Sequence, residues 1–161
     1  MALDLLPSES RAVEVGAVLP DAVLGETSAI LGLRRPVTSR LGLMAVIRKG
    51  LPSSSLESVA KRMGLSAIAT VESLGLAKRT IARRLQEKQA LTVEESERVV
   101  RLARVLAEAT HVLGSAEKAR RWLQKPSRAL GGEMPLQMLD TDIGGNAVLE
   151  ELGRIDYGVF A

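Results

Sequence analysis

At 161 residues the chain is long enough for one domain of ordinary size or two small ones, and a hydrophobic share of 46% can build a real core. It has no cysteine and a single histidine, His111, which excludes disulfides and thiolate metal sites and leaves no constellation for nucleophilic catalysis. The net charge of +3 hides an uneven distribution: residues 34–88 carry twelve Lys or Arg against three acids, whereas residues 126–161 carry two against six, so only the first stretch suits a polyanion.

The start of the chain bears Asp4 and Glu9, with no basic region ahead of an apolar run, which argues against a secretory signal. The longest apolar stretch, near Leu41 to Ile47, falls far short of the roughly 20 residues that a bilayer requires. A cytoplasmic protein is expected. Residues 1–36 mix small apolar residues with glycine and proline and keep no helical period, which predicts a loose arm with room for one short element. From Thr38 the pattern turns helical: Leu41, Met44, Ala45 and Ile47 form a stripe that Gly50 and Pro52 end. A second helix follows, capped by Ser53 or Ser54 and burying Leu56, Val59, Ala60 and Met63, with Gly64 as its left-handed end.

Ser66 caps a short helix to Leu74, Gly75 and Leu76 make a tight turn, and another short helix runs from Ala77 to about Gln86. The longest helix begins at the capping box of Thr92 and Glu95. Its buried stripe runs through Val93, Val100, Leu102, Ala103, Val105, Leu106 and Ala109 to Gly114. Ser115 restarts a helix through Trp122, a core residue by its spacing, and Pro126 ends it. A last helix from about Thr141 to Asp156 buries Val148, Leu152 and Ile155. No strand signal appears, so the expected fold class is all-α.

Within "LSAIATVESLGLAKRTIARRLQEKQ" a small-residue helix, a glycine turn and a basic helix follow one another, and the stretch resembles the Xre or Cro repressor type of helix-turn-helix. Val71 and Ala77 depart from that pattern, which usually has a smaller residue and a capping Ser or Thr there. The resemblance implies DNA binding by Lys78, Arg79, Thr80, Arg83, Arg84 and Lys88, with the second helix in the major groove. Arginine suits the role because its planar fork donates twice to guanine, whereas Lys78 and Lys88 suit phosphates. Ile81 and Leu85 form the opposite, apolar stripe. One such unit reads few base pairs, so a homodimer is expected, with half-sites about 34 Å apart.

The closing stretch "GGEMPLQMLDTDIGGNAVLEELGRIDYGVFA" contains neither GxGxxG after a strand nor GK[ST], so phosphate cradling is not supported. Its carboxylates lack the alternating spacing of a calcium loop, and Asp140 and Asp142 read as acids at a helix N-terminus. Neither enzymatic activity nor a cofactor is expected. The series ARRWLQKP (119–126), ALGGEMPLQML (129–139), Thr141, Gly144, Val148, Leu152 and GRIDYGVFA (153–161) closely resembles the toxin-binding domain of the Xre/MbcA/ParS antitoxins. That resemblance implies an arm at 1–36, a DNA-binding unit at 37–90 and a toxin-binding domain at 91–161. It further implies a partner, a RES-domain toxin that consumes NAD, whose pocket is blocked by Arg154, Tyr157, Gly158, Val159, Phe160 and Ala161. Leu130, Gly131, Gly132, Pro135 and Leu136 would shape or flank the same surface, and the helix-turn-helix would repress the protein's own operon. The competing class is a free-standing helix-turn-helix regulator whose C-terminal domain dimerises or senses a ligand.

Overall fold

The computed structural model describes residues 20–158. They form helices α1 (Asp21–Ile30), α2 (Arg40–Lys49), α3 (Ser54–Met63), α4 (Ala67–Ser73), α5 (Lys78–Gln86), α6 (Val93–Leu113), α7 (Ala116–Leu123) and α8 (Asp142–Asp156). Two 3-10 turns, Arg128–Leu130 and Pro135–Asp140, lie between α7 and α8. Among the described residues there is no strand, only an isolated antiparallel bridge between Pro52 and Ala90, and the fold is all-α as expected.

The 21-residue helix α6 is the axis, and α1, α2, α3, α7 and α8 all pack on it. Its start is fixed by the expected capping box, in which Thr92 Oγ1 accepts from Glu95 N and Glu95 Oε2 accepts from Thr92 N at 2.8 Å. Gly114 ends it in the left-handed conformation at φ +84. Val99, Leu102, Ala103, Val105 and Leu106 are buried nearly all round the helix, which is what an axis contacted from several sides requires. Ser96 is buried among them because its Oγ accepts from Leu51 N at 2.9 Å. That bond, with Leu91 N donating to Leu51 O, ties the α2–α3 link to the start of α6.

Several local expectations are met. Ser66 caps α4 through its side chain, and α7 and α8 start where expected, each held by a side-chain cap, Ser115 on Lys118 N and Thr141 on Gly144 N. Leu56, Val59, Ala60 and Met63 are all buried in α3. Others differ for identifiable reasons. In α2 the buried residue is Leu43, whereas Leu41 and Met44 are 76% and 42% exposed, so of the expected stripe only Ile47 packs against the core. Ser53 precedes α3 without capping it; its hydroxyl donates instead to Arg84 O on α5. Val93 is exposed because it stands in the first turn of α6, beyond the packed part, and Ile155 is only half-buried near the end of α8.

Part of the expected arm, residues 1–19, lies outside the described residues; the rest contains one short helix, and that helix is part of the core. Val23, Leu24 and Ile30 of α1 are buried with Thr27 and Ser28. The two hydroxyls spoil the apolar period yet are accommodated. Thr27 Oγ1 donates to Val23 O at 2.6 Å and Ser28 Oγ to Leu24 O, while Ser28 Oγ also accepts from Val37 N. Ser58 Oγ of α3 donates to Ile30 O at 2.8 Å and fastens the end of α1.

α8 approaches its neighbours closely at two adjacent glycines. A Cβ on Gly144 would overlap the carbonyl oxygen of Met138, and one on Gly145 would stand 2.7 Å from Arg101 Cδ. Gly153, in the same helix, faces open space. Helix propensity alone favours Ala over Gly by about 1 kcal/mol, so the two sites differ in sign. Gly153→Ala is expected to raise the melting temperature by about 2–4 °C. Gly144→Ala, colliding with backbone that cannot swing away, is expected to lower it by at least as much. Equal shifts in thermal unfolding for the two variants would contradict the packing.

Candidate functional site

The helix-turn-helix is formed by α4 and α5 across Gly75, whose φ of +62 is the left-handed conformation that glycine adopts without strain. Ile81 is buried and Leu85 half-buried, so the inner face of α5 points to the core and fixes its rotation. Arg79, Ala82, Arg83 and Gln86 are left on the exposed outer face. Ala77 makes no side-chain cap, so the first amides of α5 lack the partner that a capping side chain would give. Lys78 is exposed and ion-paired with Glu72. Thr80 is half-buried, and Lys88 is exposed with φ +52 just beyond the helix. Arg84 differs from its neighbours: only 19% of its side chain is exposed and its Nε lies 3.0 Å from Glu95, the capping-box acid of α6. The candidate DNA-binding residues therefore divide into an outward group and one that anchors the helix.

The turn itself is held from α6. Arg98 Nη1 donates to Gly75 O at 2.7 Å and to Leu74 O at 3.3 Å. Arg101, one turn further along α6, donates to Leu139 O at 2.9 Å and lies 3.7 Å from Asp142. A Cβ on Gly75 would be 3.4 Å from Asp140 Cβ, so the helix-turn-helix turn rests directly on the turn that leads into α8. Neither arginine has a sequence signal, since both partners are backbone carbonyls with no residue code.

In the C-terminal part, Leu130, Pro135 and Leu136 are buried, the two leucines in the core. Gly131 and Gly132 form an exposed left-handed turn at φ +69 and +85, closed by Gly132 N donating to Ser127 O at 2.8 Å. Trp122 is half-buried against the core. At the far end of α8, Arg154 is bound to Glu151 through Nε at 2.7 Å and is 41% exposed. Tyr157 is 77% exposed and Gly158 turns away at φ +70. Val159, Phe160 and Ala161 lie outside the described residues. Among the described residues no group of His, Cys, Asp or Glu could hold a metal ion, and no helix is long and apolar enough to cross a membrane.

An exposed basic helix set by a helix-turn-helix, joined through one continuous axis to a compact helical C-terminal part, defines a helix-turn-helix protein with an appended helical module. Residues 42–104 match the model of the antitoxin Xre-like helix-turn-helix domain. Residues 108–158 match that of the antitoxin Xre/MbcA/ParS C-terminal toxin-binding domain. The chain is 31% identical to the antitoxin Xre of Photorhabdus laumondii, over 77% of its own length and 84% of that relative's. It is 38% identical to the antitoxin Xre of Pseudomonas putida, over 70% and 69%. A Prs ADP-ribosylating antitoxin of a Sphingobium species is 30% identical over 73% and 80%. The chain belongs to the Xre family of antitoxins.

Where the ends of α6 and α8 meet, Glu108 is half-buried, and its pKa is raised by burial first and also by Asp156, against the opposing effects of His111 and Arg104. A carboxyl whose folded pKa exceeds its unfolded value favours the folded state while protonated, and that stability is lost as pH climbs through the raised value. Glu108→Gln removes the charge and leaves the shape. It is expected to raise the melting temperature at pH 7 by about 1–3 °C, a small shift because the group still meets water. Below about pH 4, where an unperturbed Glu is protonated, the difference should vanish. Parallel melting curves across that range would contradict the assignment.

Proposed function

We propose that this antitoxin neutralises a RES-domain toxin that consumes NAD, using the end of its chain after α8 to close the toxin's NAD pocket. We further propose that as a cytoplasmic homodimer it represses its own operon through α5. The observation that carries the first part is Tyr157: a large aromatic left 77% exposed at the tip of a helix whose inner face, Gly144, Gly145, Val148 and Leu152, is buried in the fold. Aromatic side chains offer much contact area for little lost rotamer freedom, which makes such a residue an interface anchor. Arg154, one turn earlier, already holds the carboxylate of Glu151 and can meet an acidic or phosphate group of the partner with the same fork. Val159, Phe160 and Ala161 continue this end. The name of the Sphingobium relative includes ADP-ribosylation, a reaction that draws on NAD and is compatible with a toxin of that chemistry. Leu130, Pro135 and Leu136 serve this surface from beneath, by setting the turn at Gly131 and Gly132 and the start of α8.

For DNA, the outward group on α5 supplies the contacts. Arg79 and Arg83 share the exposed face at a spacing of one turn, suited to base edges, while Lys78, Lys88 and the free first-turn amides suit phosphates. Arg84 contributes through orientation, because Glu95 holds it. Each phosphate neutralised releases a counterion, so operator affinity falls steeply with salt.

Deleting Tyr157 to Ala161 is expected to leave the melting temperature near that of the full chain, since Tyr157 and Gly158 are exposed, and to abolish rescue of cells that express the toxin. Full rescue by the shortened chain would refute the blocking role. Changing Arg79 and Arg83 together to Ala is expected to cost about 10-fold or more in operator affinity, at roughly 1–3 kcal/mol for each well-formed bidentate pair. Toxin binding should persist. An unaltered operator affinity at moderate salt would remove α5 from the recognition role.

A further inference from the structure

Between the basic stretch 34–88 and the acidic end 126–161 lies a second basic run. Residues 118–125 hold Lys118, Arg120, Arg121 and Lys125 and no acid, with Glu117 just before them. The faces of α7 divide this run. Ala119 and Leu123, one turn apart, are buried, and Trp122 is half-buried beside them. Lys118, Arg121 and Lys125, the last just past the helix end, follow one another at intervals of three and four and are left together on the exposed side.

Another edge of α7 grips the helix-turn-helix unit. Arg120 Nη1 donates to Arg62 O at 3.2 Å, and Gln124 Nε2 donates to Met63 O at 3.3 Å. Both acceptors belong to the last turn of α3, and a Cβ on Gly64, the residue that ends it, would stand 3.9 Å from Arg120 Cδ. Ser66, two residues further on, caps α4, the first helix of the helix-turn-helix. Lys125 follows Gln124 directly and so stands beside the link between α3 and α4, where Lys61 and Arg62 of α3 are also exposed. When the second helix of such a unit lies in the major groove, the first crosses the DNA backbone. With α5 in the groove, the link before α4 therefore comes to a phosphate strand, and cations beside it suit phosphates rather than base edges.

The charges around this link are unequally matched. Lys61, Arg62, Lys118, Arg120, Arg121 and Lys125 face two acids, Glu26 and Glu117. Glu26 lies 3.7 Å from Arg62 and Glu117 2.8 Å from Arg121, both in solvent, where such pairs contribute little. Lys61, Lys118 and Lys125 make no ion pair among the described residues. In the loop that follows, Arg128 is matched in number by Glu133, which the bond from Ser127 N to Glu133 O brings close.

We propose that the exposed face of α7, with Lys118, Arg121 and Lys125, forms together with Lys61 of α3 a second DNA-contacting surface, which holds the phosphate backbone beside the bases that α5 reads. It rests on the reading of α5 as the recognition helix and extends it into residues 108–158, the segment that matches the toxin-binding model. That module thereby carries a share of the affinity for DNA. The share has no sequence preference, because phosphates are alike along the duplex.

The test uses the full chain and two duplexes, one with the sequence upstream of its own reading frame and one of random sequence, titrated by fluorescence anisotropy from about 50 to 200 mM salt. Arg121→Gln combined with Lys125→Gln removes two charges at exposed positions, so the melting temperature should stay near that of the unaltered chain. Binding is expected to weaken about 10-fold on both duplexes alike, and the slope of log affinity against log salt to fall by about 2, roughly one for each phosphate contact given up. Lys125→Arg keeps the charge and should bind like the unaltered chain. An unchanged slope, or a loss confined to the upstream sequence, would overturn the proposal. So would intact DNA binding with weakened binding of the protein from the neighbouring reading frame, which would assign this face to the toxin. If the unaltered chain binds neither duplex, the reading of α5 fails and takes the α7 surface with it; if it binds and the double variant keeps its slope, only the α7 surface fails.

Discussion

Two arginines one turn apart on α6 grip backbone carbonyls on either side of it, and the arrangement of the rest depends on that grip. Arg98 holds the turn before α5, and Arg101 holds the turn before α8. A guanidinium donates in a fixed plane, so each contact constrains direction as well as distance. Both turns are also the places where the chain enters a helix whose outer face is proposed to meet a partner. The same axis thereby orients the element proposed to face DNA and the one proposed to face the toxin, and the close approach of Gly75 and Asp140 leaves little space between them. The boundary between the two matched domains falls within α6, at residues 104–108, so neither part has an axis of its own.

Charge follows the same division. Among the described residues, the outward basic residues of α5 form one ion pair, Lys78 with Glu72, while Arg98 and Arg101 of α6 are spent inside the molecule on carbonyls and on Asp142. Arg84 sits between these roles, since its position on α5 suggests DNA yet Glu95 claims it. That pairing makes one carboxylate serve both as the cap of α6 and as the anchor of α5. The start of the axis and the angle of the basic helix are thus set by a single side chain.

Much of the fold was legible wherever a local device decides it. The capping box of Thr92 and Glu95, the caps at Ser66, Ser115 and Thr141, and the left-handed glycines at 64 and 114 each act within one turn of chain, so the residues alone announce them. What could not be read depended on partners distant in sequence. α1 was obscured because Thr27 and Ser28 occupy core positions, made tolerable by carbonyls one turn back. The face of α2 was misjudged because its period fits two stripes, and only contact with α6 selects the one containing Leu43. For the candidate site, the basic face of α5 was visible from Ile81 and its spacing. Arg98 and Arg101 were not, because a bond to a main-chain oxygen leaves no trace in residue type.

The residues that carry the resemblance in the C-terminal part are mostly internal. Leu130, Pro135, Leu136, Gly144, Val148 and Leu152 are all buried, and Gly144 is there because nothing larger fits beneath the Met138 carbonyl. Such a pattern records how the scaffold is built, whereas contact with a partner must come from what the scaffold leaves outside. At one end of α8 that is Tyr157; at the other it is Ile143. The buried pattern therefore fixes the scaffold, whereas the exposed ends of α8 are positions that packing leaves free for the contact proposed above.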